Sequence, residues 1–184
     1  MISYLFSFIL GFSVKTIDLA SEHGLKMGKY LKFCLSIFYG ALMAFLLSIV
    51  FLPEFFFGII IGVIVAGKID SKEHTIALIS FLVFSIFFPF QMNHFSVLFL
   101  SAIVCVFEEW INDSIVDKKK AKGFALKFLS MRPLLEMLAL IISIIYSNFS
   151  TLFLLALFDS GYLLSKKFMG KKGFTKSKTK PLRQ

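Results

Sequence analysis

Four acids and an amide fall within ten residues of this chain, at Glu108, Glu109, Asn112, Asp113 and Asp117, and Lys118, Lys119 and Lys120 follow at once. On a helix, Glu109, Asp113 and Asp117 share one face at i, i+4 and i+8, with Glu108 and Asn112 beside them. Like charges at that spacing repel by about 0.2–0.5 kcal/mol per pair, so the face calls for a cation, a metal ion or water. Traced backwards, the same face reads Cys105 and Ser101, small side chains suited to close packing against another helix.

Other carboxylates could join this set. Asp159 lies between Leu154-Leu155-Ala156-Leu157-Phe158 and Ser160-Gly161-Tyr162-Leu163-Leu164. A charge there must face other protein and have a partner, because at a bilayer centre it costs about 2.5–3.5 kcal/mol. A cavity floored by Asp18, Asp70, Glu109, Asp113 and Asp159 would suit a hard divalent cation such as Mg²⁺, Mn²⁺ or Ca²⁺. Mg²⁺ is typically held through one or two carboxylates plus substrate phosphate oxygens. Lys68 and Arg132 are the cations placed to contact such a phosphate, and Glu109, Asp113 and Asp159 are the candidates for the chemistry. Arg132 and Glu136 also form an i, i+4 pair. His23, His74 and His94 are scattered and give no zinc-binding spacing. No phosphate-binding glycine loop and no Gly-x-Ser-x-Gly elbow occurs.

Two known motifs come near the acidic stretch. Asn112-Asp113-x-x-x-Asp117 is similar to the Asn-Asp-x-x-Asp motif of the intramembrane aromatic prenyltransferases, but it is one residue longer and no second aspartate-rich motif follows. Glu108-Glu109 is followed by Asp113 where the Glu-Glu-x-x-x-Arg of the intramembrane CAAX-type proteases has arginine. No residue role or activity is carried over from either family.

The elements that must position these groups are membrane helices. The chain is 58% hydrophobic with 25 phenylalanines and a mean hydropathy of +0.84, against roughly 45–50% apolar in soluble domains. The net charge of +9 follows from the positive-inside rule and attraction to anionic lipid headgroups, not from a nucleic-acid surface. Cys34 and Cys105 lie in apolar stretches and match no metal or disulfide spacing. The first twenty residues lack a basic start and a small-x-small cleavage site, and so read as a mature helix.

Seven helices are predicted, over residues 2–20, 33–51, 55–68, 75–88, 95–115, 131–146 and 151–165. The third carries Gly58, Gly62 and Ala66 at four-residue intervals, a stripe that allows close helix approach inside the bundle or in an oligomer. Its next position is Asp70. Gly40 and Ala44 give the second helix a similar edge. Residues 124–130 read as an interfacial stretch and residues 166–184 as a basic, disordered tail. Alternation places all Lys and Arg on one side, so the fold class is an all-α, polytopic membrane bundle in the cell membrane, with its N-terminus outside and its C-terminus cytoplasmic. Within residues 1–165, three functions compete. One is a divalent-metal-dependent enzyme acting on a lipid or isoprenoid phosphate. The others are an ion-coupled transporter using intramembrane carboxylates and a non-catalytic scaffold.

Overall fold

The computed structural model describes residues 2–21, 25–116 and 133–173, with side chains to Met169. Among these there is no strand. The helices are α1 (Ile2–Ser21), α2 (Lys29–Ile49), α3 (Pro53–Val65), α4 (Lys72–Phe87), α5 (Phe95–Ile111, running on as a π turn over Asn112–Val116), α6 (Pro133–Ile145) and α7 (Ser150–Gly173). The predicted interfacial stretch at 124–130, Asp117 with its lysines, Arg132, and residues 174–184 lie outside the described residues.

Local chemistry sets the boundaries. Pro53 occupies the first turn of α3, where its missing N–H is no loss. Gly67 ends that helix at φ +71°. Its N–H bonds Ile64 O and the Lys68 N–H bonds Val63 O, a Schellman closure. Here the structure corrects the sequence reading. The helix stops before Asp70, so Asp70 does not continue the glycine stripe, and it is exposed. Ser71 caps α4 by accepting from the His74 N–H. The last helix continues to Gly173, about two turns beyond the predicted end at Ser165, because lysine is a good helix former.

The helices associate chiefly as three pairs, α1 with α7, α2 with α4, and α3 with α5. Each pair runs parallel. On α1 and α7, Ser7 Oγ donates to Leu154 O and Lys15 donates to Tyr162, 147 residues apart in both cases. On α3 and α5, Gly58 meets Ser101 and Gly62 meets Cys105. On α2 and α4, Gly40 meets Ala77 and Ser80. Glycine permits each approach. A Cβ at Gly58 would stand 1.9 Å from Ser101 Oγ and 2.4 Å from Leu98 O, and one at Gly11 would stand 2.0 Å from Phe158 O. The two small-residue stripes on α3 and α5 are therefore each other's partners within the chain.

Between the bundle ends the filling is three apolar clusters interleaved with buried serines, among them Ser7, Ser80, Ser101 and Ser143. Leu52, Phe55, Val97, Leu138 and Ile142 belong to one buried cluster, Leu10, Ile17, Leu42 and Leu46 to a second, and Ala44, Leu47 and Phe81 to a third. Among the described residues, three helices are long and apolar enough to cross a membrane: Ile2–Ser21, Lys29–Ile49 and Phe95–Ile115. The sequence predicts seven such spans. Pro53 and Gly67 confine α3 to 13 residues, against the roughly 20 that a hydrocarbon core requires.

Candidate functional site

Antiparallel succession along the chain brings the C-terminal ends of α1, α3, α5 and α7 together with the N-terminal ends of α2, α4 and α6. The ionisable groups gather there in two networks. The first joins four helices. Asp18 of α1 accepts from Lys15 Nζ at 3.2 Å and from the Tyr162 hydroxyl of α7 at 3.2 Å, both through Oδ2. Its Oδ1 faces His74 Nε2 of α4 at 2.9 Å. Lys15 also donates to the Tyr162 hydroxyl at 2.9 Å. The other ring nitrogen of His74 pairs with the Tyr39 hydroxyl of α2 at 2.7 Å. Because a carboxylate only accepts, His74 Nε2 carries a proton. In the neutral ring Nδ1 then accepts from Tyr39. The Lys15 and Asp18 side chains are 10% and 16% exposed, so each charge depends on the other and on the hydroxyls around it. Lys32 extends this end, donating to Ala20 O at 2.6 Å and pairing with Glu73 at 3.8 Å.

The second network lies where α3 meets α5. Lys68, just past the Schellman turn, pairs with Asp113 and stands 3.9 Å from Glu109 Oε2. Glu109 is buried while Asp113 is half open to the surroundings, so the group has an inner and an outer carboxylate. Neighbouring Glu108 has another task. At 2% exposure, it accepts from the Leu134 N–H at 2.9 Å. It thereby satisfies a donor in the first turn of α6, where the helix dipole also favours a negative charge.

Sequence reasoning placed five carboxylates around one cavity, but the structure divides them. Asp18 belongs to the histidine–tyrosine network, Glu109 and Asp113 share Lys68, and Asp70 is exposed beyond α3. Asp159 is half-buried on α7, one turn before Tyr162. Among the described residues, no three His, Cys, Asp or Glu side chains are placed to hold a metal ion. The pair Glu109 and Asp113 does converge on a single point, which Lys68 Nζ occupies. Glu136 stands on the first turn of α6, and Arg132, proposed as its partner and as a phosphate contact, is outside the described residues.

His74, Tyr39, Lys15 and Tyr162 were not singled out by sequence reasoning. The i, i+3 spacing of Lys15 and Asp18 was a legible signal for part of the network. The meeting of α1 with α4 was not. Glu54 was also missed. It lies at the opposite end of the bundle, 1% exposed, and accepts through Oε1 from the Asn93 N–H and from the His94 N–H at 2.9 Å. It does for the start of α5 what Glu108 does for α6. His94 then pairs with the Tyr146 hydroxyl at 3.1 Å. Compared with models of known families, with curated proteins and with solved structures, the chain matches none.

Proposed function

We propose that this chain is an integral membrane protein that crosses the bilayer seven times, with its N-terminus outside and its networked end cytoplasmic. On this reading, Glu109 and Asp113 hold a hard divalent cation, Mg²⁺, Mn²⁺ or Ca²⁺, beside the phosphate of a lipid or isoprenoid phosphate. The topology draws support from the three parallel pairs, which alternate crossing requires, and from the large apolar side chains turned outward, among them Ile79, Ile86, Phe99, Ile103 and Ile144. Of the non-helical residues before the short α3, Leu52 is fully buried.

One observation carries the functional part: an inner and an outer carboxylate aim at one ammonium at the end of the bundle. Two carboxylates are what Mg²⁺ ordinarily takes from protein, with phosphate and water completing its shell. A cation there would neutralise phosphate oxygens and orient the headgroup. Lys68, displaced from between the acids, would reach the same phosphate. The corresponding activity is that of a metal-dependent enzyme acting on the lipid phosphate. Among the described residues, the buried polar side chains between the two ends are serines and not ionisable groups, which favours this over an ion-coupled transporter using intramembrane carboxylates.

The test is a melting curve in detergent containing a lipid phosphate, with Mg²⁺, Mn²⁺ or Ca²⁺ titrated. Binding to the folded state raises the midpoint with cation concentration. Wild type should show the rise and Asp113→Asn should lose it, while equal curves overturn the proposal. A second reading has its own observation. Lys68 already supplies the counter-charge, which suits a non-catalytic scaffold whose basic tail meets anionic lipid. In that case Lys68→Gln destabilises the protein and divalent cations change nothing.

A further inference from the structure

Three of the described lysines are matched by carboxylates: Lys15 by Asp18, Lys32 by Glu73, and Lys68 by Asp113 and Glu109. Lys26, Lys29, Lys166 and Lys167 are exposed, and among the described residues no carboxylate pairs with them. These four gather around the last turn of α1. The Leu25 N–H bonds Leu19 O at 2.9 Å, folding the connection back onto that turn, and Lys32 of α2 donates to Ala20 O. From α7, Ser165 shares a 2.9 Å hydrogen bond with Thr16 of α1. Lys26 and Lys29 thus stand on the α2 side of α1, and Lys166 and Lys167 on its α7 side. Each pair has exposed apolar side chains next to it: Tyr30 and Leu31, exposed by 85% and 59%, and Phe168, by 62%. Further along α2 the outward positions stay apolar, with Phe38 and Ile49 exposed.

We infer that the two lysine pairs form one docking surface for the headgroups of anionic phospholipids, with Tyr30, Leu31 and Phe168 entering the layer beneath. This rests on the membrane placement proposed above and not on the metal site. Lys15 and Lys32 are already neutralised by Asp18 and Glu73, so the charge presented around the end of α1 is that of the exposed pairs. The order of side chains along α2 selects the occupant. From the bundle end inward come cations, then an aromatic ring and a leucine, then the apolar outward positions. An anionic bilayer presents the complement in the same order: headgroup charge, interface, hydrocarbon. Lysine stems lie along apolar surface while their ammonium groups reach the headgroups. A nucleic acid or an acidic protein would match the lysines but not the apolar side chains that adjoin them.

The protein carries a single tryptophan, Trp110, so a reporter can be moved to the surface in the full chain as Trp110→Phe/Tyr30→Trp. This protein is reconstituted in phosphatidylcholine vesicles doped with acyl-brominated phosphatidylserine or, at equal mole fraction, acyl-brominated phosphatidylcholine, and tryptophan quenching is read. One lysine near the surface enriches an anionic lipid about fivefold, so brominated phosphatidylserine should quench as if enriched by at least that factor. Adding Lys26→Gln/Lys29→Gln should remove most of the excess, and Lys26→Arg/Lys29→Arg should retain it. Lys166→Gln/Lys167→Gln, on the neighbouring helix, should lower it by a smaller factor. Salt at about 1 M, where the Debye length is about 3 Å, should suppress it. The reporter at the opposite end, Trp110→Phe/Ile49→Trp, should show no excess. Equal quenching by the two lipids at position 30 overturns the inference, as would be seen if the lysines served a nucleic acid or an acidic protein. So does an excess left unchanged by either glutamine pair, or one of the same size at positions 30 and 49, since that comes from the charge of the chain as a whole. Quenching by neither lipid at position 30 refutes the membrane placement itself, whereas equal quenching leaves that placement standing.

Discussion

Replacing Asp18 by asparagine is the sharpest probe of how the polar end is held. Asp18 receives three donors, Lys15 and Tyr162 at one oxygen and His74 at the other. Asparagine offers one acceptor atom and one NH₂ group, so it can satisfy all three partners only if His74 switches tautomer, with Nε2 accepting from the amide and Nδ1–H donating to Tyr39. It also leaves the Lys15 ammonium, 10% exposed, without its counter-charge. Breaking one side of a buried pair costs about 3–5 kcal/mol, and the slight exposure here sets the lower end, about 3 kcal/mol. Removing the pair together is different. In Lys15→Met/Asp18→Leu/Tyr162→Phe no charge is stranded and no hydroxyl is orphaned; His74 keeps Tyr39, and the partner lost at its Nε2 is the one polar cost that remains. Such apolar replacements are often neutral, so the triple variant should be more stable than Asp18→Asn alone. Reversible denaturant titration in mixed micelles, followed by helical circular dichroism, gives both values. The reasoning fails if Asp18→Asn lies within about 0.5 kcal/mol of wild type, the range of ordinary surface changes. It fails equally if the substitutions simply add.

Further outcomes follow from the close contacts and the buried acids. Gly58→Ala should destabilise by about 1–3 kcal/mol through overpacking, offset by at most about 1 kcal/mol of helix propensity, because Leu98 O at 2.4 Å cannot move aside. Gly62→Ala should cost less, since its nearest contact is the Cys105 side chain at 2.6 Å, and Gly28→Ala, with nothing within 4 Å, should be neutral in the same titration. Glu108→Ala orphans the Leu134 N–H at a cost of about 1–3 kcal/mol. Hydrogen exchange should therefore accelerate in the first turn of α6, while Glu108→Gln, which can still accept, changes it little. Glu54→Ala should do the same to the Asn93 and His94 amides at the opposite end of the bundle.

Much of this architecture is written locally. The apolar runs between Pro53, Pro89 and Pro133 give the helices, and four-residue spacing exposes the Gly58/Gly62 and Ser101/Cys105 stripes separately. Local pattern does not say which helices meet, and the site depends on that. The acids at the ends of α1, α3, α5 and α7 look equivalent in the sequence. They part company because α1 lies against α7 and near α4, giving Asp18 a histidine and a tyrosine hydroxyl besides Lys15, while α5 lies against α3, giving Glu109 and Asp113 one lysine. Asp70 was assigned to the glycine stripe on helical spacing alone, and one residue in the left-handed region, Gly67, removed it. The tasks of Glu54 and Glu108 are not legible in the sequence because their partners are backbone amides, which no side-chain motif encodes.

The close-packed pairs and the polar networks are one arrangement. On α1 and α7 the same register that lets Gly11 meet Phe158 sets Lys15 against Tyr162 one turn later. On α3 and α5 Gly58 meets Ser101 and Gly62 meets Cys105, and just past the closure of α3 Lys68 meets Glu109 and Asp113. A slip of one helical turn, about 5.4 Å, would part both ion groups, whose contacts are all shorter than that. Glycine packing in the apolar half thus sets the distances between charges at the bundle end. It follows that Gly58→Ala, far from Lys68 and uncharged, should weaken the divalent-cation response as well as the fold, whereas Gly28→Ala should leave both unchanged. A Gly58→Ala protein that is destabilised yet keeps the full Mg²⁺ shift would uncouple packing from the site.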